Sequence, residues 1–238
     1  VKKGGPKIGI PFGLNLYELL PFWNAFLGEL GFEVVISDPS SREMYMQGQH
    51  SIPSDTVCYP AKLMHGHIEN LIQKGVKSIF YPCMTYNLDE GRADNCYNCP
   101  VVAYYPELLE ANVTELQKLD FMMPYFELGD PKRFQAQAMK FFCKKYPHLK
   151  KKDIQRAADA AYQALDAYYA AIRKEGQKAI DYADANGLEL AVIVGRPYHI
   201  DPEINHGLNQ MIASYGMVIV SEDAVWNLAE QPEVHVLN

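Results

Sequence analysis

Several features that would fix a function class are missing from this 238-residue chain. There is no 18-residue apolar run, which excludes a predicted membrane span, and no charged and apolar pair of regions at the start that would predict a secretory signal. The net charge is −7, so no basic face for non-specific nucleic-acid binding is expected. We therefore expect a cytoplasmic protein that binds neither nucleic acid nor membrane.

Nucleotide-binding glycine patterns are also missing. The chain contains neither a Walker sequence nor a dinucleotide fingerprint, so ATP hydrolysis by this chain alone is not expected. The first residue, Val1, is not an initiator methionine, and Gln231–Asn238 ends without a helix cap. We expect on these grounds a piece of a longer polypeptide.

Strand and helix patterns alternate in the first half of the chain. Strands are predicted at Lys7–Phe12, Phe32–Ile36, Val76–Tyr81 and Val101–Tyr105, with helices at Leu16–Leu30 and Pro60–Lys74. The segment Ser37–Thr56 is predicted as a loop with at most one helical turn. This order indicates a parallel sheet covered by helices.

A helical block and a second β-α-β pattern follow. The block covers 113–187, with helices at Pro131–Tyr146 and Lys152–Ala185; strands are then predicted at Leu188–Val194 and Met217–Val220, around a helix at Asn205–Tyr215. We predict an α/β fold of two Rossmann-like parallel-sheet lobes joined by a helical segment. The expected divisions are 1–112, 113–187 and 188–238, the last being incomplete.

Four of the five cysteines lie between positions 58 and 99, where we predict a cofactor site. Cys58 precedes a predicted helix, Cys83 follows the third predicted strand, and Cys96 and Cys99 form a C-x-x-C pair in the irregular loop before the fourth. Carboxyl ends of parallel strands and the starts of the next helices share one edge of a sheet, and free N–H groups at a helix start favour a thiolate. Four thiolates converging there would suit an iron–sulfur cluster.

Two alternatives to a cluster remain open. A structural zinc ion uses the same thiolate ligands, although its ligands usually come as two close pairs. Some of the cysteines could instead be inert, buried packing residues, which is how we interpret Cys143. His65 and His67 are two residues apart on a helix and form no metal pair with each other.

A second group of polar residues follows the strand pattern at Leu188–Val194. The stretch Gly195–Gly207 contains Arg196, Tyr198 and His199, which are candidates for binding an anion and donating a proton. The alternative is a structural turn in which Asp201 or Asn205 caps the following helix.

The motifs around the cysteines and around Gly195–Gly207 follow one another in an order that resembles the 2-hydroxyacyl-CoA dehydratase superfamily. The resemblance is closest to the conserved DUF2229-type domain of large activase-related proteins of anaerobic bacteria, whose relatives include double-cubane cluster proteins. It covers about 6–112 and 189–226. The motifs are Ile8-Gly9-Ile10-Pro11, Ser54-Asp55-Thr56-Val57-Cys58-Tyr59-Pro60-Ala61-Lys62, Tyr81-Pro82-Cys83, Asn98-Cys99-Pro100 and Gly195-Arg196-Pro197-Tyr198-His199.

The resemblance implies a [4Fe–4S]-type cluster, or part of a larger one, held by Cys58, Cys83 and Cys99. Cys96 stands where the family has no fixed cysteine, and it is either the fourth ligand or no ligand. An ATP-hydrolysing activase is the implied partner, a CoA ester the implied substrate, and low-potential electron transfer the implied function. A second copy of the chain, in a homodimer, is also among the expected partners.

Two other functions compete with the redox domain. One is a non-catalytic module of a larger protein that binds a structural metal or docks the activase. The other is a thiol enzyme using Cys96 and Cys99, ranked last because the pair is predicted before a strand and not at a helix start.

Overall fold

The computed structural model describes residues 4–89 and 95–228. The chain forms an α/β fold in which every paired strand of these residues runs parallel to its neighbour. This confirms the predicted fold class. The end of the chain at Gln231–Asn238 lies outside the described residues. No helix among the described residues combines the length and apolar character needed to cross a bilayer.

The first four elements follow the predicted order, with one break. Strand β1 (Lys7–Ile10) leads into α1 (Asn15–Glu18) and α2 (Leu20–Glu29), and β2 (Glu33–Ile36) comes next. The predicted single helix is interrupted at Leu19, because Pro21 has no N–H to continue the helical ladder and lies in the first turn of α2.

The next segment contains more helix than the sequence predicted. Helix α3 (Arg42–Gly48) lies where a loop was expected, and the Ser41 hydroxyl caps it by accepting a hydrogen bond from the Met44 N–H (3.2 Å). A 3₁₀ turn at Gln49–Ser51 precedes α4 (Tyr59–Gln73).

Two strands are interrupted by prolines. Strand β3 (Ser78–Phe80) is followed by β4 (Cys83–Tyr86), and β5 (Asp120–Met122) by β6 (Tyr125–Glu127). The ladder continues across both breaks, since the Tyr81 N–H donates to the Met122 carbonyl and the Cys83 N–H to the Pro124 carbonyl, both at 2.9 Å. The strand order in the main sheet is β2-β1-β3-β5, and β4 and β6 extend it.

Two predictions between Val101 and Glu127 are wrong. Val101–Tyr105 lies in helix α5 (Pro100–Asn112), not in a strand. Pro100 suits the first turn of a helix, and the apolar residues that follow it form the buried face of that helix. The fourth strand of the sheet is β5, within a stretch predicted as helical, and a 3₁₀ turn at Thr114–Lys118 precedes it.

The predicted helices and strands after residue 130 are present as α6 (Pro131–Lys145), α7 (Lys151–Asn186), β7 (Leu190–Ile193), α9 (Leu208–Ser214) and β8 (Val218–Ser221). A 3₁₀ turn at Pro197–Ile200 and the short helices α8 (Pro202–Asn205) and α10 (Glu222–Val225) were not predicted. Strands β7 and β8 form a separate two-stranded parallel sheet. The division into three regions at 112 and 187 stays a prediction.

The main core is aromatic and lies between the sheet and helices α2, α6 and α7. Phe134 packs edge-to-face on Phe22 and Phe26, at ring distances of 5.2 Å, and contacts Phe126 at 5.4 Å. Trp23 packs on Phe80 at 5.0 Å. The core holds the carboxyl ends of β1 and β3 in place on one side of the sheet.

Candidate functional site at the sheet edge

The strand order creates a crevice at one edge of the main sheet. Because β2 and β3 lie on opposite sides of β1, the connections after β1 and β3 diverge at their carboxyl ends, where parallel α/β folds bind ligands. The segment Pro11–Asn15 follows β1, and Tyr81–Cys83 follows β3. Helices α4 and α5 begin on connections at this edge.

Cys58 and Cys99 have equivalent positions in the two connections. Each is the residue that precedes a helix, Cys58 before α4 and Cys99 before α5, and each is followed by a proline in the first turn. Both are exposed, and neither side chain caps its helix. The helix N–H groups and dipole therefore favour negative charge where the two thiols lie.

Cys83 lies in a different environment, buried as the first residue of β4. Burial raises the pKa of its thiol to about 12, and the carboxylates of Glu107 and Glu110 add to the shift. A thiol in this position stays protonated unless a cationic group binds to it.

Cys96 is buried, unlike the exposed Cys58 and Cys99. It is 9% exposed, its carbonyl accepts a hydrogen bond from the Asn87 N–H (2.9 Å), and its side chain hydrogen-bonds with Tyr86. The C-x-x-C pair precedes a helix and not a strand, so the ground for ranking the thiol enzyme last is wrong.

Within 4–89 and 95–228, no three cysteine sulfurs lie within 4.8 Å of one another. The sulfur ligands of one tetrahedral zinc ion are about 3.8 Å apart.

Tyr198 brings the second polar group to the cysteines. Burial raises the pKa of its hydroxyl, Arg196 opposes this, and the charges of Cys58 and Cys99 add to it. The two groups of residues that the sequence predicted separately therefore lie in one electrostatic environment.

A bond between side chains supports this arrangement. The Tyr59 hydroxyl, next to Cys58, donates a 2.6 Å hydrogen bond to the Glu203 carboxylate, and its ring stacks on that of His206. Helix α1 packs against the turn Pro197–Ile200. The C-terminal region, which comprises residues 188–228, is thereby attached to the start of α4.

The other members of the second group have mixed roles. The Arg196 N–H donates to Nδ1 of His199 (3.2 Å), and burial followed by the Arg196 charge lowers the pKa of His199. Asp201 accepts hydrogen bonds from the Glu203 and Ile204 N–H groups, so the predicted helix cap is confirmed for Asp201.

A buried chain of polar groups reaches the site from behind α4. The Ser51 hydroxyl hydrogen-bonds with Nδ1 of His65 (2.7 Å), and Nε2 of His65 with the Tyr105 hydroxyl (3.1 Å). Burial lowers the pKa of His65 to about 4, so its ring is neutral near pH 7. Burial raises the pKa of the Tyr105 hydroxyl, and the charge of Cys58 adds to this shift.

Two buried residues at the edge have polar atoms without a hydrogen-bond partner. The Tyr81 hydroxyl is fully buried near Cys83, Tyr105 and Tyr198, and its pKa is raised by burial first and then by these groups. Asn15 is 2% exposed, and neither polar atom of its side chain is bonded. The sequence analysis named Tyr81 only as part of a motif and did not identify Asn15; the available signal for Tyr81 was a polar residue directly after a buried strand.

Together, these features define a parallel α/β domain with a crevice lined by thiols and phenols at its switch point. The model of one protein family, the CoA enzyme activase uncharacterised domain (DUF2229), matches residues 7–225. The chain belongs to this family. No curated protein and no solved structure matches the chain.

Proposed function

We propose that this domain binds a [4Fe–4S]-type cluster through Cys58, Cys83 and Cys99 in a protein of the 2-hydroxyacyl-CoA dehydratase and activase type. The observation that carries the proposal is the position of the three cysteines, two at helix starts and one directly after β3, around the same edge of the sheet. Family membership supports a relation to activase systems.

The donor groups suit such a cluster. The two helix N-termini at Cys58 and Cys99 favour an anionic group, and the buried Cys83 thiol, with its raised pKa, needs a cationic partner to ionise. The unbonded Tyr81 hydroxyl beside Cys83 can donate a hydrogen bond to a bound sulfide or thiolate. When bound, the cluster would supply low-potential electron transfer.

The residues around the cysteines would hold a small substrate. The charges of both Cys58 and Cys99 act on Tyr198, so its hydroxyl is the proposed donor to a substrate oxygen. Arg196 would bind an anionic group, such as a phosphate or carboxylate of a CoA ester, and His199 would keep the turn in place through the Arg196 N–H. An ATP-hydrolysing activase is the proposed electron donor.

Anaerobic iron and sulfide analysis with electron paramagnetic resonance tests the proposal. The purified chain should contain about four iron atoms and four sulfides and should give a resonance after reduction. Cys58→Ser, Cys83→Ser and Cys99→Ser should each lose most of the iron, whereas the matched control Cys143→Ser, on α6, should retain it. Zinc in place of iron, or full iron content in all three variants, would overturn the proposal.

The same measurement on Cys96→Ser decides the fourth position. If Cys96 is a ligand, its variant should lose iron as Cys99→Ser does. If iron is retained, the fourth ligand comes from water, substrate or another chain segment. Reduction by an added activase should require ATP in the wild-type chain.

A further inference from the structure

A second group of potential ligands lies outside the cysteine crevice. His50 is in the 3₁₀ turn Gln49–Ser51, Glu69 is on α4, and Glu115 is in the turn Thr114–Lys118. One nitrogen or oxygen of each side chain lies within 4.8 Å of the others. Three separate elements of the fold thus direct donor atoms to the same point.

The imidazole of His50 is oriented as a ligand. Its Nδ1 is 3.0 Å from the Gln47 carbonyl, which can only accept, so Nδ1 carries the proton and Nε2 of the neutral ring has a free lone pair. This lone pair faces Oε1 of Glu69 at 3.7 Å, beyond hydrogen-bond distance. Two ligands of one metal ion are about 3.0–3.4 Å apart, so a small contraction would suffice.

The Glu69 carboxylate lacks the partners that a buried charge needs. Its Oε1 is buried and accepts no hydrogen bond, although the side chain is 13% exposed. Burial raises the pKa of Glu69 and the neighbouring Glu115 adds to this, while His50 opposes it. Glu115 also faces Lys118 and accepts a hydrogen bond from the Thr114 hydroxyl. Two carboxylates this close repel each other unless a cation lies between them.

We propose that His50, Glu69 and Glu115 bind one divalent transition-metal ion of the Zn²⁺ type, with water completing the coordination. One imidazole and two carboxylates suit Zn²⁺ and Co²⁺ better than Mg²⁺ or Ca²⁺, which prefer oxygen ligands only. The ion would connect the two 3₁₀ turns to α4. This proposal does not depend on the cysteine cluster.

Titration of the whole chain with Co²⁺ tests the site and separates it from the cysteines. Co²⁺ bound by nitrogen and oxygen absorbs weakly in the visible range, whereas thiolate ligation adds intense near-ultraviolet bands. We expect one equivalent of the weak type, displaced by Zn²⁺ and unaffected by excess Mg²⁺. Zn²⁺ should also raise the melting temperature of the wild-type chain.

Conservative variants locate the site. Glu69→Gln and Glu115→Gln should each weaken Co²⁺ binding by at least about tenfold and abolish the stabilisation by Zn²⁺. Without metal, Glu69→Gln should melt no lower than wild type, because it removes a buried charge without a hydrogen bond. The matched control is Glu43→Gln, an exposed carboxylate on α3 outside the group. Absence of the weak band in wild type, or equal losses in the Glu43 and Glu69 variants, would overturn the site.

Discussion

Helix α7 contacts two regions of the molecule that are packed differently. Along its first half, buried residues from Ile154 to Leu165 pack on α2 and the aromatic core. Along its second half, it contacts β8 and α10 mainly through small residues: Gly176 lies so close to Ala224 that an added Cβ would be 2.4 Å from the Ala224 carbonyl oxygen. Strand β7 is only partly buried.

The difference matters for the crevice, because each region contributes to it. The N-terminal region positions Cys58, Cys83 and Cys99 on elements that the aromatic core holds in place. The C-terminal region contributes Tyr198 and depends on close contacts with α7 and α1 and on the bond between Tyr59 and Glu203. We therefore expect the C-terminal region to open at lower free energy than the N-terminal one.

The largest expected effect is that of Phe134→Ala. Phe134 is fully buried and contacts five other aromatic rings, so its removal should leave a cavity and lower the free energy of unfolding by about 3–5 kcal/mol. Urea denaturation measures this change. Tyr182→Ala, at an exposed position on the second half of α7, is the control and should change it by less than about 1 kcal/mol. Similar losses in both variants would mean that the aromatic core contributes no more to stability than an exposed position beside the C-terminal region.

Gly176→Ala should have a smaller and more local effect. The new methyl group would meet the backbone of α10, and the required displacement should cost about 1–3 kcal/mol. Hydrogen exchange should become faster in β7, β8 and α10 while protection in the main sheet is retained.

The control for this substitution is Gly28→Ala in α2, where nothing lies within 4 Å of the added Cβ. It should leave stability unchanged or raise it by up to about 1 kcal/mol, because alanine favours helix over glycine. Uniformly faster exchange in Gly176→Ala would contradict the separate opening of the C-terminal region.

Acid should destabilise the N-terminal region through two buried histidines on α4. Burial lowers the pKa of His67 to about 3, with Asp38 opposing and Lys74 adding to the shift, and it lowers that of His65 to about 4. Between pH of about 6.5 and these values, the unfolded chain binds protons that the native chain does not. Stability is therefore fully present above about pH 6.5 and is lost as the pH falls, by up to about 1.4 kcal/mol per pH unit for each histidine.

Denaturation midpoints between pH 7 and pH 4 measure this slope. His67→Gln keeps an amide for the hydroxyls of Ser37 and Ser40, which hydrogen-bond with the ring in the native chain. This variant should reduce the slope by about half. A slope that does not change would assign the acid sensitivity to other groups.

The sequence predicted elements with long or alternating patterns and failed where pairing is non-local. Val101–Tyr105 has the β-branched and aromatic composition of a strand, yet a short apolar run cannot be distinguished from a buried helix by composition. Strands β5 and β6 have three residues each, are separated by Pro124, and exist because distant strands pair with them. Such short segments carry little pattern of their own.

The site was predictable only in part, because only some of its features follow from local sequence patterns. The positions of Cys58 before a helix and Cys83 after a strand follow from local patterns, and the structure has both. The approach of Tyr198 to Cys58 and Cys99 depends on how the C-terminal region packs on α1 and α7, which no local pattern contains. Unbonded polar atoms, as in Tyr81, are defined only once all neighbours are known.

The smallest effect is expected for Val192→Thr, which is compared with the same valine-to-threonine change in the N-terminal region. Val192→Thr, in β7, keeps a β-branched side chain that is 43% exposed, so its hydroxyl can reach water and the free energy of unfolding should change by less than about 0.5 kcal/mol. Val76→Thr, next to β3, places the same hydroxyl at a position that is 2% exposed, and should cost about 1–3 kcal/mol. Urea denaturation of both variants measures the difference. Equal costs would mean that another surface covers β7 in solution, and the contrast between the two regions would then disappear.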